Sequence, residues 1–337
     1  MTKIRGLCKA GWGWWKAKGT FMETNRKTTY ILLTIATIFW GIQPLCIKWL
    51  VAEWTPVTIT SGRYFLISGI LFFILYLRQD RGILPPRHCF LPLVFMGVTG
   101  ITVNNVAQFT GLQYSTVTNC TLIAAASPAF TAFLSAIFIK ERLNRLQWSG
   151  IAISFAGALC VVSQGSLAVI RNISFNTGDM LFFVCQINWT IYSIIGRRVM
   201  GDISALATTA WAGLFGAIIT ACYGIYAGQL TFTVLEAVTF SAFLYTVFLG
   251  GVLAMLFWNI GVKQAGPSLT AIFQNVTPVV GVAAGAFFLQ EAVDIQEIGG
   301  ALAIFVGVYF TTHSEQVGRL LLRSERTICT GTSAGHK

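Results

Sequence analysis

Few polar side chains fall within the long apolar stretches of this chain, and their types limit the chemistry it can carry. Trp40 and Gln43 stand three residues apart and share a face if that stretch is a helix. Asn188, Trp189 and Tyr192 form a comparable group in the second half, with WGIQPLCIK matching WTIYSIIGR so that Trp40 corresponds to Trp189. Asn104, Asn105 and Gln108 occupy another stretch, and Gln274 and Asn275 a further one. Amides and indole N–H groups form hydrogen bonds without ionising, which suits binding rather than bond cleavage. No Asp or Glu lies near the middle of any apolar stretch, so a carboxylate proton relay has no candidate. Arg63 and Lys48 are the only cations there; either can neutralise a substrate carboxylate, and Lys48 can equally snorkel to the interface. H-E-x-x-H and G-x-S-x-G are absent, and His88, His313 and His336 fall outside the apolar stretches, which counts against an intramembrane enzyme. The eight cysteines are scattered singly, with no metal-binding spacing, so neither a metal nor a cofactor is expected.

The elements that hold these groups must lie in a bilayer. Of 337 residues, 55% are hydrophobic and 10% charged, whereas a soluble domain carries about 25% charge. Runs of the roughly 17–25 residues that cross a hydrocarbon core lie near 30–50, 57–77, 90–110, 116–138, 147–164, 180–197, 205–226, 239–260, 268–289 and 295–312. Lipid cannot satisfy an open sheet, so each is expected to be a helix. A buried amide must find a partner, either on a neighbouring helix or across a wet cavity. The set together favours a cavity at mid-membrane shared by Gln43, Asn188 and Asn275. Pro128 and Pro278 are expected to bend the fourth and ninth helices, with Ser127 and Thr277 placed to bond the freed backbone.

Residues 111–160 and 261–310 align without a gap at an offset of 150, pairing Gly111 with Gly261, Pro128 with Pro278, Glu141 with Glu291 and Gly157 with Gly307. A duplicated unit with an odd number of spans places its copies in opposite orientations, the usual build of secondary transporters. With both termini cytoplasmic, every Lys and Arg except Lys48, Arg63 and Arg171 falls on the cytoplasmic side, as the positive-inside rule requires. The net charge of +11 therefore addresses a lipid surface, not nucleic acid.

The expected fold class is an all-α polytopic membrane protein of ten transmembrane helices in two inverted five-helix repeats. Residues 1–29 form a basic cytoplasmic tail, 30–164 the first repeat, 165–179 a linker, 180–312 the second repeat and 313–337 a C-terminal cytoplasmic tail. Within the first tail, Trp12, Trp14 and Trp15 alternate with Lys9, Lys16 and Lys18. This suits an interfacial anchor; alternatively translation starts at Met22, and residues 1–21 are not part of the protein. No cleaved signal peptide is expected.

FWGIQPLCIK, the lone Arg63, the stretch GLQYSTVTNC…ALCVV and its second copy GVKQAGPSLT…GVYF together resemble the EamA-type repeat of the drug/metabolite transporter superfamily, over roughly residues 30–312. The resemblance implies ten helices in the inner (plasma) membrane of a bacterium. It also implies a central cavity between the first, third, fourth, sixth, eighth and ninth helices, and export of a small metabolite such as an amino acid. Mapped here, that cavity would be lined by Trp40, Gln43, Asn104, Asn105, Ser127, Asn188, Tyr192, Gln274 and Asn275, with Arg63 as a further substrate contact. Trp211 stands near the place that Arg63 holds in the first repeat, so a charge contact there is one-sided. A sensor or accessory subunit is the competing class, against which the lack of a sizeable soluble domain counts.

Overall fold

The computed structural model describes residues 25–78, 83–115, 123–163, 166, 176–280, 283 and 295–314. The Trp- and Lys-rich tail and Glu291 lie outside them. Among the described residues all regular structure is helical. The elements are α1 (Arg26–Glu53), α2 (Pro56–Leu77), α3 (Arg87–Tyr114), α4 (Ser127–Phe138), α5 (Arg145–Ser163) and α6 (Thr177–Val199). They continue with α7 (Ala205–Tyr226), α8 (Ala237–Ala265), α9 (opening at Pro267–Ala271) and α10 (Ile295–Thr312). Five of these, α1, α2, α3, α7 and α8, are long and apolar enough to cross a membrane. Large apolar side chains such as Phe73, Leu91 and Ile225 stand exposed on the outside, a surface suited to lipid.

The helix ends are written locally in the sequence. Thr55 caps α2 by accepting from the Thr58 N–H at 3.1 Å, with Pro56 in the first turn, and Ser204 caps α7 through the Ala207 N–H at 3.1 Å. Asn176 and Asp179 form a reciprocal capping box at the start of α6. Pro128 does not sit mid-helix as expected. It occupies the first turn of α4, just after a turn at Ala126, where its missing N–H leaves no bond unmade. Pro278 follows a tightened 3₁₀ segment, Ile272–Asn275, that interrupts the path of α9.

Two helices are locally underwound. α3 passes through a π segment at Gly97–Val103 and α8 through one at Phe248–Leu253. Both are glycine-bearing, and the glycines let neighbours in: Gly97 faces the backbone of α7 at Gly216, Gly100 lies against the Tyr192 ring, and Gly250 against the Gln43 side chain.

Helices pair across the two halves: α1 with α8, α2 with α7, α3 with α6, α4 with α9 and α5 with α10. The α5–α10 contact is the closest in kind to a small-residue seam. A Cβ on Gly157 would lie 2.7 Å from the Gly300 carbonyl oxygen, and one on Gly300 would lie 2.7 Å from that of Gly157. Small residues bring backbones together where lipid offers no hydrophobic drive. Gly157→Ala therefore has to separate the two helices, an overpacking cost of about 1–3 kcal/mol, and should lower the thermal midpoint of the purified protein. Gly69→Ala on α2, where nothing lies within 4 Å of the added atom, should be neutral or slightly stabilising. Equal midpoints for the two variants would contradict the seam.

Candidate functional site: a polar cavity between the halves

The π segments matter because a π turn leaves backbone carbonyls outside the regular ladder, and such turns collect at functional sites. Here side chains take those carbonyls. Trp40 Nε1 donates to the Gly250 oxygen at 2.9 Å, and Arg63 Nη2 to the Thr246 oxygen at 3.1 Å, just ahead of the π segment of α8. On α3, Asn105 Nδ2 donates to the Ile101 oxygen at 2.9 Å, and Asn104 Nδ2 to the Gly100 oxygen at 3.4 Å. Each bond fixes a polar side chain at the same level of the bundle.

Between these groups lies a cavity of about 140 Å³, room for on the order of ten waters or one small metabolite. Its walls include Trp40, Gln43, Arg63, Asn104, Asn105, Gln108, Gln186, Trp189, Gln274, Thr277 and Pro278. Trp40 and Trp189 make one wall aromatic, and Trp258 and Tyr192 pack behind them: the three tryptophan ring centroids lie 5.2–5.5 Å apart, and Tyr192 stacks on Trp189 at 5.1 Å. Thus Trp40 and Trp189, matched in the sequence, meet in space.

Of the ten residues expected to bind substrate, Trp40, Gln43, Arg63, Asn104, Asn105 and Gln274 line this cavity. Ser127, Asn188, Tyr192 and Asn275 are not part of the lining. Asn188 does not share the cavity with Gln43: its amide donates to the Val184 oxygen of its own helix at 2.8 Å. Asn275 turns instead to α5, bonding Ser154 Oγ at 3.0 Å. The Tyr192 hydroxyl accepts from Asn259 Nδ2 at 2.7 Å, and Asn259 also reaches Thr209 at 2.8 Å, so this trio is internal cross-bracing. Ser127 is fully buried. Lys48 is exposed on α1 and is not part of the lining. Trp211 bonds the Ile83 oxygen at 2.7 Å and plays no part in the cavity.

Gln186 is a polar lining residue that reading the sequence missed. It stands three residues before Trp189, the same spacing that joins Trp40 and Gln43, and that was the available signal. Several lining groups carry polar atoms without a protein partner: Gln43 Oε1, Gln186 Oε1, Gln274 Oε1, Trp189 Nε1, and Arg63 Nε and Nη1. These atoms are shielded from a water-sized probe, and the protein meets none of them with a hydrogen bond.

A family model described as the EamA-like transporter family matches residues 27–163 and again 176–313. The chain belongs to this family. It is similar to the uncharacterized transporter YyaM of Bacillus subtilis strain 168, 28% identical over 280 residues that cover 83% of this chain and 92% of that protein. An uncharacterized transporter of Archaeoglobus fulgidus is 26% identical over 285 residues, 84% of this chain and 97% of its own length. The uncharacterized inner membrane transporter YedA of Escherichia coli K12 is 27% identical over 252 residues, 74% and 78% respectively. A solved crystal structure at 18% identity shares the fold with a TM-score of 0.72, covering 88% of this chain and 99% of that one. This EamA-like chain is thus a multi-pass membrane protein of a transporter family.

Two further polar groupings lie outside the cavity of this EamA-like protein. His88, Cys89 and Asp202 bring one ligand atom each within 4.8 Å of the others, close enough to hold a metal ion, and His88 Nε2 pairs with Asp202 at 3.2 Å. Sequence spacing does not reveal this cluster, because Asp202 is 113 residues from Cys89. In the second grouping, Glu141 in the α4–α5 loop accepts from Ser268 Oγ at 2.8 Å and lies against Gly266, whose φ of 91° holds the turn between α8 and α9. Burial raises the Glu141 carboxyl above its ordinary 4.5, with Ser268 and Arg197 opposing the rise. A raised folded-state value means that the contribution of Glu141 to stability is fully present below 4.5 and is lost as pH rises through the folded value. The difference in thermal midpoint between wild type and Glu141→Gln should therefore turn against the wild type as pH climbs from 4.5. A difference that stays flat with pH would contradict the burial.

Proposed function

We propose that this protein is a secondary transporter that exports a small polar or amphipathic metabolite, with the central cavity as its binding site and alternating access as its mechanism. The observation that carries the proposal is the cavity itself. It lies between helices of both halves and is lined by residues of each that carry buried polar atoms without a protein partner. Support for a two-part moving machine comes from the helix pairs. Exchanging the halves maps α1–α8 onto α6–α3 and returns α2–α7, α4–α9 and α5–α10 to themselves. Two five-helix repeats, 30–164 and 180–312, inverted about an axis through the Trp40–Trp189 contact, account for that pattern. The Lys and Arg bias supports a cytoplasmic location for both termini, and the inner membrane location of the relative YedA supports the same membrane here.

In this reading the lining residues Trp40, Gln43, Arg63, Asn104, Asn105 and Gln274 contact substrate. Ser127, Asn188, Tyr192 and Asn275 act behind them, and the breaks ahead of Pro128 and Pro278 let each half close one end. Among the described residues no carboxylate lines the cavity, and in this reading flux follows the substrate gradient and the membrane potential. One charge moving through about 100 mV is worth roughly 2.3 kcal/mol. The test is flux of a metabolite panel in proteoliposomes. Trp40→Ala and Gln274→Leu should each lower flux several-fold with protein level and elution profile unchanged, since each removes a contact worth about 1 kcal/mol or more. Undiminished flux in both would overturn the assignment of the cavity.

A further inference from the structure

A second pocket opens where α4, α6 and α8 end, and it shares no lining residue with the central cavity. Its volume is about 510 Å³, and its lining combines the α8–α9 turn at residues 265–267 with three exposed cations, Lys140, Arg197 and Arg198. Glu141 is the one carboxylate in the lining, and it accepts from Ser268 Oγ at 2.8 Å. Among the described residues none of the three cations forms an ion pair; the pair His88–Asp202 lies elsewhere. Both arginines stand in the last turn of α6, where a cation also suits the helix dipole. Each spends one N–H on a carbonyl near the end of another helix, Arg197 Nη1 on the Val262 oxygen at 3.1 Å and Arg198 Nη2 on the Phe138 oxygen. A guanidinium has five donors in a fixed fork, so each arginine is held in position with donors to spare. Lys140 has φ of 55° immediately past Ile139, the C-cap of α4, where glycine is the usual residue because a Cβ strains that conformation. A lysine there takes the strain and keeps a cation on the rim. The pocket also borders an apolar strip. Phe138 lines it and is 58% exposed, while Phe133 and Ile137, four residues apart on one face of α4, are 61% and 56% exposed.

We propose that this pocket holds the headgroup of one anionic phospholipid, with its phosphodiester on the remaining donors of Lys140, Arg197 and Arg198 and its acyl chains along α4. Phosphate oxygens match these donors in charge and geometry, and the bonds are charge-assisted. A free phosphate offers the same oxygens but has no use for the apolar strip, and the strip favours the lipid. So does position: the Lys and Arg bias assigns these loops to the cytoplasmic face, where the leaflet is anionic and basic pockets between spans take lipid headgroups. Because the α4–α5 loop belongs to the first half, and the end of α6 and the α8–α9 turn to the second, the bound headgroup bridges the halves. The site is independent of what the central cavity carries.

The test titrates the purified full-length protein, in a neutral detergent, with phosphatidylglycerol, phosphatidylcholine or inorganic phosphate. Retained lipid is read by native mass spectrometry, and the thermal midpoint is measured alongside. One phosphatidylglycerol should be held at least about tenfold more tightly than phosphatidylcholine, a difference of about 1.4 kcal/mol, and should raise the midpoint because it binds the folded state. Lys140→Gly removes the cation and relieves the backbone, so the lipid-free midpoint should hold or rise while the preference falls several-fold. A purely structural role for Lys140 would not separate the two readouts. Arg198→Gln should also lower the preference; if it fails to fold, Lys140→Gly decides. Arg87→Gln removes an exposed cation at the start of α3, outside the pocket, and should keep the preference. Equal retention of the two lipids, a preference that survives Lys140→Gly, or one that falls as far in Arg87→Gln overturns the proposal. Inorganic phosphate that raises the wild-type midpoint as far as phosphatidylglycerol also overturns it, and assigns the pocket to a free anion.

Discussion

Inside a bilayer a polar group has no water to fall back on, and every N–H and C=O must be met by the protein. That constraint organises this molecule around its two π segments. Each loosens the carbonyl ladder at mid-helix, and the carbonyls there or just ahead of them draw in the donors of Trp40, Arg63, Asn104 and Asn105. The same glycines that permit the π turns let α1, α6 and α7 approach α8 and α3 closely enough for those bonds to form. Backbone irregularity, helix packing and the chemistry of the cavity are therefore one arrangement. A residue larger than glycine at 250 would displace the Gln43 side chain.

Around this centre the protein separates rigid from polar contacts. The α5–α10 seam is built from facing glycines and carries no cavity residue, which makes it a scaffold. The aromatic cluster joins α1 of the first half to α6 and α8 of the second through ring contacts rather than hydrogen bonds alone. Ring contacts of that kind tolerate small rotations better than a fixed hydrogen bond does, and they sit where two halves would move against each other.

Much of the architecture was legible because the signals are local. Thr55–Pro56 and Ser204 start helices where the apolar runs begin, and α2 and α7 end within a residue of the expected limits. The helices that carry the lining amides were legible too; the face was not. These helices are apolar all round, so no polar stripe marks the inside. Asn188 and Trp189 are neighbours in sequence but about 100° apart around the helix. The amide of Asn188 closes onto its own backbone, while Gln186 shares the tryptophan's face and lines the cavity. Asn275 likewise is adjacent to the lining residue Gln274 and turns to Ser154. The π segments add a further obstacle, since each shifts the register of everything after it, so a 3.6-residue period drawn through α3 or α8 assigns the wrong faces.

The central claim is that one buried cavity opens to either side of the membrane. The direct measurement places a single cysteine at Gln43, in a variant whose eight native cysteines are replaced. It then applies a small membrane-impermeant thiol reagent to sealed right-side-out and inside-out vesicles. Alternating access predicts modification from both sides, slowed in each case by bound substrate. Modification from one side only, or from neither, would contradict it.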